Sequence, residues 1–164
     1  MDADVLESLY RKYYHAALMY CTALCGNIDL AHDLVSDAFV KAYLSLPNEV
    51  ISFQFWLFRV CKNLWIDHLR RHSRELSGEC TSYLRDTVCP ESRYLRNERN
   101  QCLWQAILSL SDADRELLTL HYFSGLSMRE IAEVTGKNPA AIRQRMVRLR
   151  HILKEKMEEQ GYGF

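Results

Sequence analysis

Two stretches of this 164-residue sequence collect cations and amides on what would be one helical face. In the first, residues 53–71, a turn of ~100° per residue brings Arg59, Lys62, Asn63, Ile66 and Arg70 together. Cations there can hold phosphates, and the Asn63 amide can hydrogen-bond a base edge. Phe53, Phe55 and Trp65 lie close enough to stack on unpaired bases, although core packing accounts for most of these aromatics as well. The second stretch holds four arginines within residues 143–150. The same rotation gathers Ala140, Gln144, Val147, Arg148 and His151, flanked by Arg143 and Arg145. Gln144 and Arg148 suit base edges, Val147 a thymine methyl, and Arg143, Arg145 and Lys154 phosphates. An ordinary amphipathic helix with a solvated basic face is the plainer reading of either stretch.

The elements that must position these side chains read as helices. Gly and Pro together number nine, which favours helices over a sandwich or barrel. Leu6, Leu9, Tyr13, Ala17 and Tyr20 predict a helix over 4–25, ended by Gly26-Asn27. Leu30, Leu34, Ala38 and Ala42 predict a second over 29–46, broken by Pro47-Asn48. A third covers 53–71, with Trp56, Leu57, Val60, Cys61 and Leu64 turned inward. Residues 73–93 lose the pattern and read as a linker. Helices follow at 94–109 and 112–124, the latter capped by Ser111 with Asp114 three residues on.

Residues 126–156 give the sharpest local signal. Ser127-Met-Arg-Glu130 is a capping box, Gly136 closes a short helix, and Asn138-Pro139 opens the next. Two short helices joined by a tight Gly-containing turn form a helix-turn-helix. Ile142, Met146, Leu149 and Leu153 make the inward stripe of its second helix, so the Gln144/Val147/Arg148 face points to a major groove.

Charge divides along the same lines. The 21 basic and 21 acidic residues cancel, which by itself speaks against a nucleic-acid binder. By segment, however, residues 50–74 carry +4 and 143–164 carry +3, while 1–49 carry −4 and 75–116 carry −3. The acidic N-terminus has no apolar h-region, and no stretch approaches the ~18 apolar residues of a membrane span, so the chain reads as cytoplasmic. Its six cysteines are then expected to be reduced. A zinc site would have to combine His68, His72, Cys80 and Cys89, at a spacing that matches no standard pattern. No cofactor and no metal are expected.

In order, DLVSDAFVKAY, FWLFRVCKNLWIDHLRR and LSLSDADRELLTLHYFSGLSMREIAEVTGKNPAAIRQRMVRLRHIL resemble a bacterial RNA polymerase sigma factor of the extracytoplasmic-function (group IV) type. The likeness runs from residue 5 to about 157. It implies an all-α chain with sigma region 2 at 3–72, a linker at 73–93 leading toward the polymerase active-site cleft, and sigma region 4 at 94–160. It further implies docking of Asp33 to Tyr43 on the clamp helices of the polymerase largest subunit, with Asp33, Asp37 and Lys41 as polar contacts. Ser36-Asp37 stands where the family often has Gln-Glu. Asn63 matches the asparagine at the pocket for a flipped-out base of the −10 element, and Arg59, Lys62, Arg70 and Arg71 match positions near promoter backbone. The loop Leu46 to Ser52, LPNEVIS, lacks the aromatic-x-Gly pattern that usually completes that pocket. Gln144, Val147 and Arg148 fall where the family reads the −35 element, with Arg143 and Arg145 on phosphates. Promoter DNA, core polymerase and a possible anti-sigma factor are the implied partners.

The competing assignment is a conventional helix-turn-helix regulator with an N-terminal dimerisation or sensing domain. A docking helix and an Asn-centred basic face in the first block favour the sigma factor. An enzyme finds no Gly-rich phosphate loop and no nucleophile motif, and no catalytic residue is expected. His15, His32, His121 and His151 read as isolated surface or packing histidines.

Overall fold

The computed structural model describes residues 1–47, 52–75 and 97–163. Among them it contains seven helices and no strand: α1 (Ala3–Cys25), α2 (Ile28–Ser45), α3 (Phe53–Glu75), α4 (Glu98–Leu108), α5 (Asp112–Phe123), α6 (Met128–Thr135) and α7 (Pro139–Glu159). The chain is all-α, as its scarcity of Gly and Pro predicts.

α1, α2 and α3 pack on one another as a first unit. Of the predicted stripes, Ala17, Tyr20, Leu34, Ala38, Ala42, Leu57, Cys61 and Leu64 are buried in its core, while Leu6, Leu9, Tyr13 and Leu30 pack half-buried against it. Trp56 and Val60, also expected inward, sit at its half-buried margin. Gly26 ends α1 in the left-handed region at φ 68°, with its N–H donated to the Thr22 carbonyl at 2.8 Å. Asn27 then caps α2 by accepting from the Leu30 N–H at 3.0 Å. α3 runs on to Glu75, so residues 73–75, expected in the linker, are helical. Arg70 and Arg71, predicted within this helix, are exposed on its last turns.

α4 to α7 form a second unit, with α7 packed on α4, α5 and α6. Ile142, Met146, Leu149 and Leu153 are buried as their spacing predicts, and Met157 extends the stripe by one turn. The two units also touch. α5 lies on α1, and α6 on α3, so that one apolar core runs through both. No helix among the described residues is long and apolar enough to cross a membrane.

Candidate nucleic-acid interface

α3 positions the first group of candidates. Burying Leu57, Phe58, Cys61 and Leu64 leaves Arg59, Asn63, Arg70 and Arg71 exposed. Their local partners are loose: Arg70 approaches Asp67 at 3.8 Å, and Arg71 donates to the Asp67 carbonyl at 3.4 Å. The aromatics behave mainly as core. Phe53 is buried against Tyr13, Phe39 and Trp56, while Phe55 and Trp65 are half-buried against the core, and Trp65 stacks on His68.

Lys62 departs from the expected pattern. Its Nζ lies 2.8 Å from Oε1 of Glu116 on α5, and its side chain is 20% exposed. Periodicity within α3 gives no sign of this contact, because the partner stands 54 residues away in the other unit.

The helix-turn-helix forms from the caps read in the sequence. Ser127 Oγ accepts from the Glu130 N–H at 3.3 Å, and Glu130 Oε2 accepts from the Ser127 N–H at 2.8 Å. Gly136 closes α6 at φ 69° and donates its N–H to the Ala132 carbonyl. Asn138 Oδ1 accepts from the Ala140 N–H at 2.8 Å, with Pro139 as first helical residue of α7. A Cβ at Gly136 would meet nothing within 4 Å. Gly136→Ala is therefore expected to destabilise the fold through backbone strain alone, by ~1 kcal/mol, read as a lowered urea midpoint with unchanged slope.

This frame exposes Ala140, Arg143, Gln144, Val147, Arg148 and His151 along one side of α7. Val147 is 53% exposed, an apolar side chain left in water on a helix that buries its other face. Arg145 again departs from the expectation. Its Nε and Nη2 donate to the two carboxylate oxygens of Asp114, each at 2.6 Å. Asp114 is buried at the first turn of α5 and also accepts from the Ser111 hydroxyl at 2.7 Å. Arg145 thus clamps α7 to α5.

The Arg145 hydrogen bond holds the Asp114 carboxyl below the usual carboxylate range, helped by Ser111 and opposed by burial. A depressed carboxylate contributes stability that is complete above its unfolded value, ~4, and is lost as pH falls through the folded value. Asp114→Asn is expected to lower stability at pH 7 and to flatten the acid limb below about pH 4. Urea midpoints measured across that range check both.

α2 presents the remaining candidates. Asp33, Asp37 and Lys41 are exposed at successive turns. Asp33 and Asp37 line a cleft of about 360 Å³ whose far side is formed by α3 through Leu64, His68, Arg71 and His72. One wall of that cleft is therefore acidic and the other partly basic. Beside it, Val40, Tyr43 and Leu44 are exposed at 56, 49 and 75%, over a groove shared with Leu6 and Tyr10. Sequence reading missed this apolar strip because its residue types match those of the core. The signal was the 33, 37, 40, 44 spacing, which continues the acidic stripe along α2.

Among the described residues no group of three or more His, Cys, Asp and Glu could hold a metal ion. Cys80 and Cys89 of the zinc combination lie outside the described residues, as do residues 48–51 of the Leu46–Ser52 loop and most of the expected linker. Cys21, Cys25, Cys61 and Cys102 are free and buried. Burial pushes the Cys25 thiol up to about 11, and a hydrogen bond with Cys61 together with burial pushes Cys21 well above its ordinary value. Protonated, enclosed thiols are poor targets for oxidants.

Known proteins share this arrangement. The family model for sigma-70 region 2 matches residues 9–75, and that for sigma-70 region 4 matches residues 100–152. The RNA polymerase sigma factor YlaC of Bacillus subtilis is 31% identical, over 94% of this chain and 92% of that protein. The ECF RNA polymerase sigma factor SigW of the same organism is 28% identical, over 96% and 91%. Among solved structures, the sigma factor RpoE in complex with the anti-sigma factor NepR, from Bartonella quintana, has a similar fold. Its TM-score is 0.71 at 24% identity, covering 94% of this chain and 92% of that one.

Proposed function

The chain belongs to the RNA polymerase sigma factors of the extracytoplasmic-function type, and on that premise we propose how its residues divide the work. It binds core RNA polymerase and directs promoter-specific initiation through the −10 and −35 elements. Asn63 hydrogen-bonds the base flipped from the −10 element, with Arg59, Arg70 and Arg71 on the adjoining backbone. Lys62 joins them once its pair with Glu116 is broken. Gln144, Val147 and Arg148 read the −35 element in the major groove, and Arg143 holds a neighbouring phosphate. Arg145 serves first as the clamp that fixes α7, with its exposed edge left for the backbone. Asp33, Asp37 and Lys41 make the polar contacts to the clamp helices, and the Val40/Tyr43/Leu44 strip supplies the apolar area beside them.

The observation that carries this reading is the pair of exposed faces, Asn63 with its arginines on α3 and Gln144/Val147/Arg148 on α7. Each is backed by a buried apolar stripe that leaves it no other orientation. Capturing an unstacked base costs a few kcal/mol, offset by pocket contacts, so sequence reading and strand opening become one event. We assign no catalytic residue, since bond formation belongs to the polymerase, and we place the chain in the cytoplasm with that enzyme. Residues 73–93 would thread toward the active-site cleft. An anti-sigma factor that covers the docking and DNA faces is a further partner of this proposal. A helix-turn-helix regulator with a sensing domain gives no account of the region 2 match over residues 9–75.

Co-purification with core polymerase tests the assignment. Asp33→Lys/Asp37→Lys is expected to reduce the recovered complex at least about tenfold. Absence of binding by the unaltered chain would overturn the polymerase role.

A further inference from the structure

The contact between the two units is centred on one carboxylate. Glu116 of α5 is buried at 8% exposure. Its Oε1 accepts from the Tyr20 hydroxyl of α1 at 2.9 Å and lies 2.8 Å from Nζ of Lys62 on α3. Both partners come from the first unit. Tyr20 is fully enclosed, and burial beside Glu116 pushes its phenol well above the ordinary value, so it remains a donor. A carboxylate taken out of water is tolerated when it is paired and hydrogen-bonded. Here the pairing exists only while the units stay together. A second close approach supports the same register: a Cβ on Gly125, between α5 and α6, would lie 3.1 Å from the side-chain nitrogen of Gln54 on α3.

Lys62 stands next to Asn63 in the proposed −10 reader. A carboxylate and a phosphate offer a lysine the same thing, anionic oxygen acceptors. We propose that Glu116 is an internal substitute for promoter phosphate, which holds the free chain closed by occupying Lys62 until polymerase and promoter draw the units apart. The DNA half of this inference rests on the sigma-factor reading above, whereas the closure itself does not.

Geometry excludes the closed form from the promoter-bound state. Elements centred at −10 and −35 are 25 base pairs apart by their names, or ~85 Å of duplex at ~3.4 Å per pair. A unit the size of residues 97–163 has a radius of gyration of ~11 Å. With Glu116 on Lys62, no residue of that unit reaches a −35 element while Asn63 holds the −10 base. Breaking the pair therefore does two things at once: it separates the readers, and it returns a cation to the −10 face.

Small-angle X-ray scattering of the full free chain tests the closure. The unaltered protein is expected at a radius of gyration of ~15 Å. Glu116→Lys places two ammonium groups together and is expected to raise it to about 20 Å or more. The exchanged double variant, Lys62→Glu with Glu116→Lys, is expected to restore the compact value. Glu116→Gln keeps a partner for Tyr20 but loses the charge, and serves if Glu116→Lys does not fold. It is expected to increase binding of a single-stranded −10 oligonucleotide by the free chain about fivefold, since one cation is released to phosphate. An extended unaltered chain would overturn the inference. So would variants that keep both the compact radius and the original oligonucleotide affinity, or an exchanged pair that stays open. These readings need no polymerase, so failure of core binding and failure of closure are told apart.

Discussion

Asn63→Ala is expected to slow open-complex formation by about tenfold to a hundredfold, the equivalent of ~1–3 kcal/mol in base discrimination, while initial promoter binding changes little. The side chain is exposed on α3, so the substitution removes the proposed base partner without opening the core. Alanine is also the better helix former, which keeps the rod that carries Arg70 and Arg71 intact. Closed-complex affinity depends mainly on phosphate contacts, which this variant retains. Stopped-flow measurement of strand opening, alongside filter binding of the closed complex, separates the two steps. A loss confined to binding would argue against a base pocket at Asn63.

Arg148→Ala is expected to weaken use of the −35 element by ~1–3 kcal/mol and to relax base preference at one position of it. Arg143→Ala, by contrast, is expected to weaken binding uniformly across sequences and to reduce the salt slope by ~1. The contrast arises from placement. Arg148 shares its exposed face with Gln144 and Val147, one turn beyond Gln144 along α7, whereas Arg143 flanks that face. Transcription from promoters with randomised −35 bases reads the preference directly. A uniform loss for Arg148→Ala would move it to the phosphate set.

Much of this organisation was legible in the sequence because it is local. The Ser127/Glu130 capping box, Gly136 and Asn138-Pro139 act within a few residues of one another, and the helices begin and end where these signals stand. The buried stripes of α2 and α7 follow from helical periodicity, and fixing the buried side fixes the exposed one, whereas α1 is buried all round from Ala17 to Ala23 because α2, α3 and α5 all pack on it. Lys62 and Arg145 were not legible in the same way. Each lies where periodicity puts a solvent-facing cation, yet each meets a carboxylate of α5, Glu116 and Asp114, 54 and 31 residues away. Periodicity says which way a side chain points, not what another helix brings to it. Asp114 shows the limit well, since its capping role with Ser111 was visible and its bidentate grip on Arg145 was not. Val40, Tyr43 and Leu44 were missed for a different reason: their residue types resemble the core, although Val40 and Leu44 continue the exposed stripe of Asp33 and Asp37.

The zero net charge acquires a physical meaning from this layout. The basic segments hold the proposed promoter readers, and the acidic first segment holds the proposed docking face. In the closed form, Glu116 and Asp114 each hold one cation of a reader, so the free chain presents less positive charge than its basic segments imply. Weak binding to DNA without polymerase is the expected result, because phosphate contacts set nonspecific affinity.

Run-off transcription reads promoter selection by this chain without an assumed promoter. Core polymerase, the purified chain and a pool of genomic fragments are combined, and the transcript 5′ ends are mapped. Starts are expected that appear only when the chain is added, preceded by a shared pair of elements near −10 and −35, with Asn63→Ala depressing all of them. Starts that do not depend on the chain, or chain-dependent starts with no shared upstream elements, would contradict promoter selection by this chain.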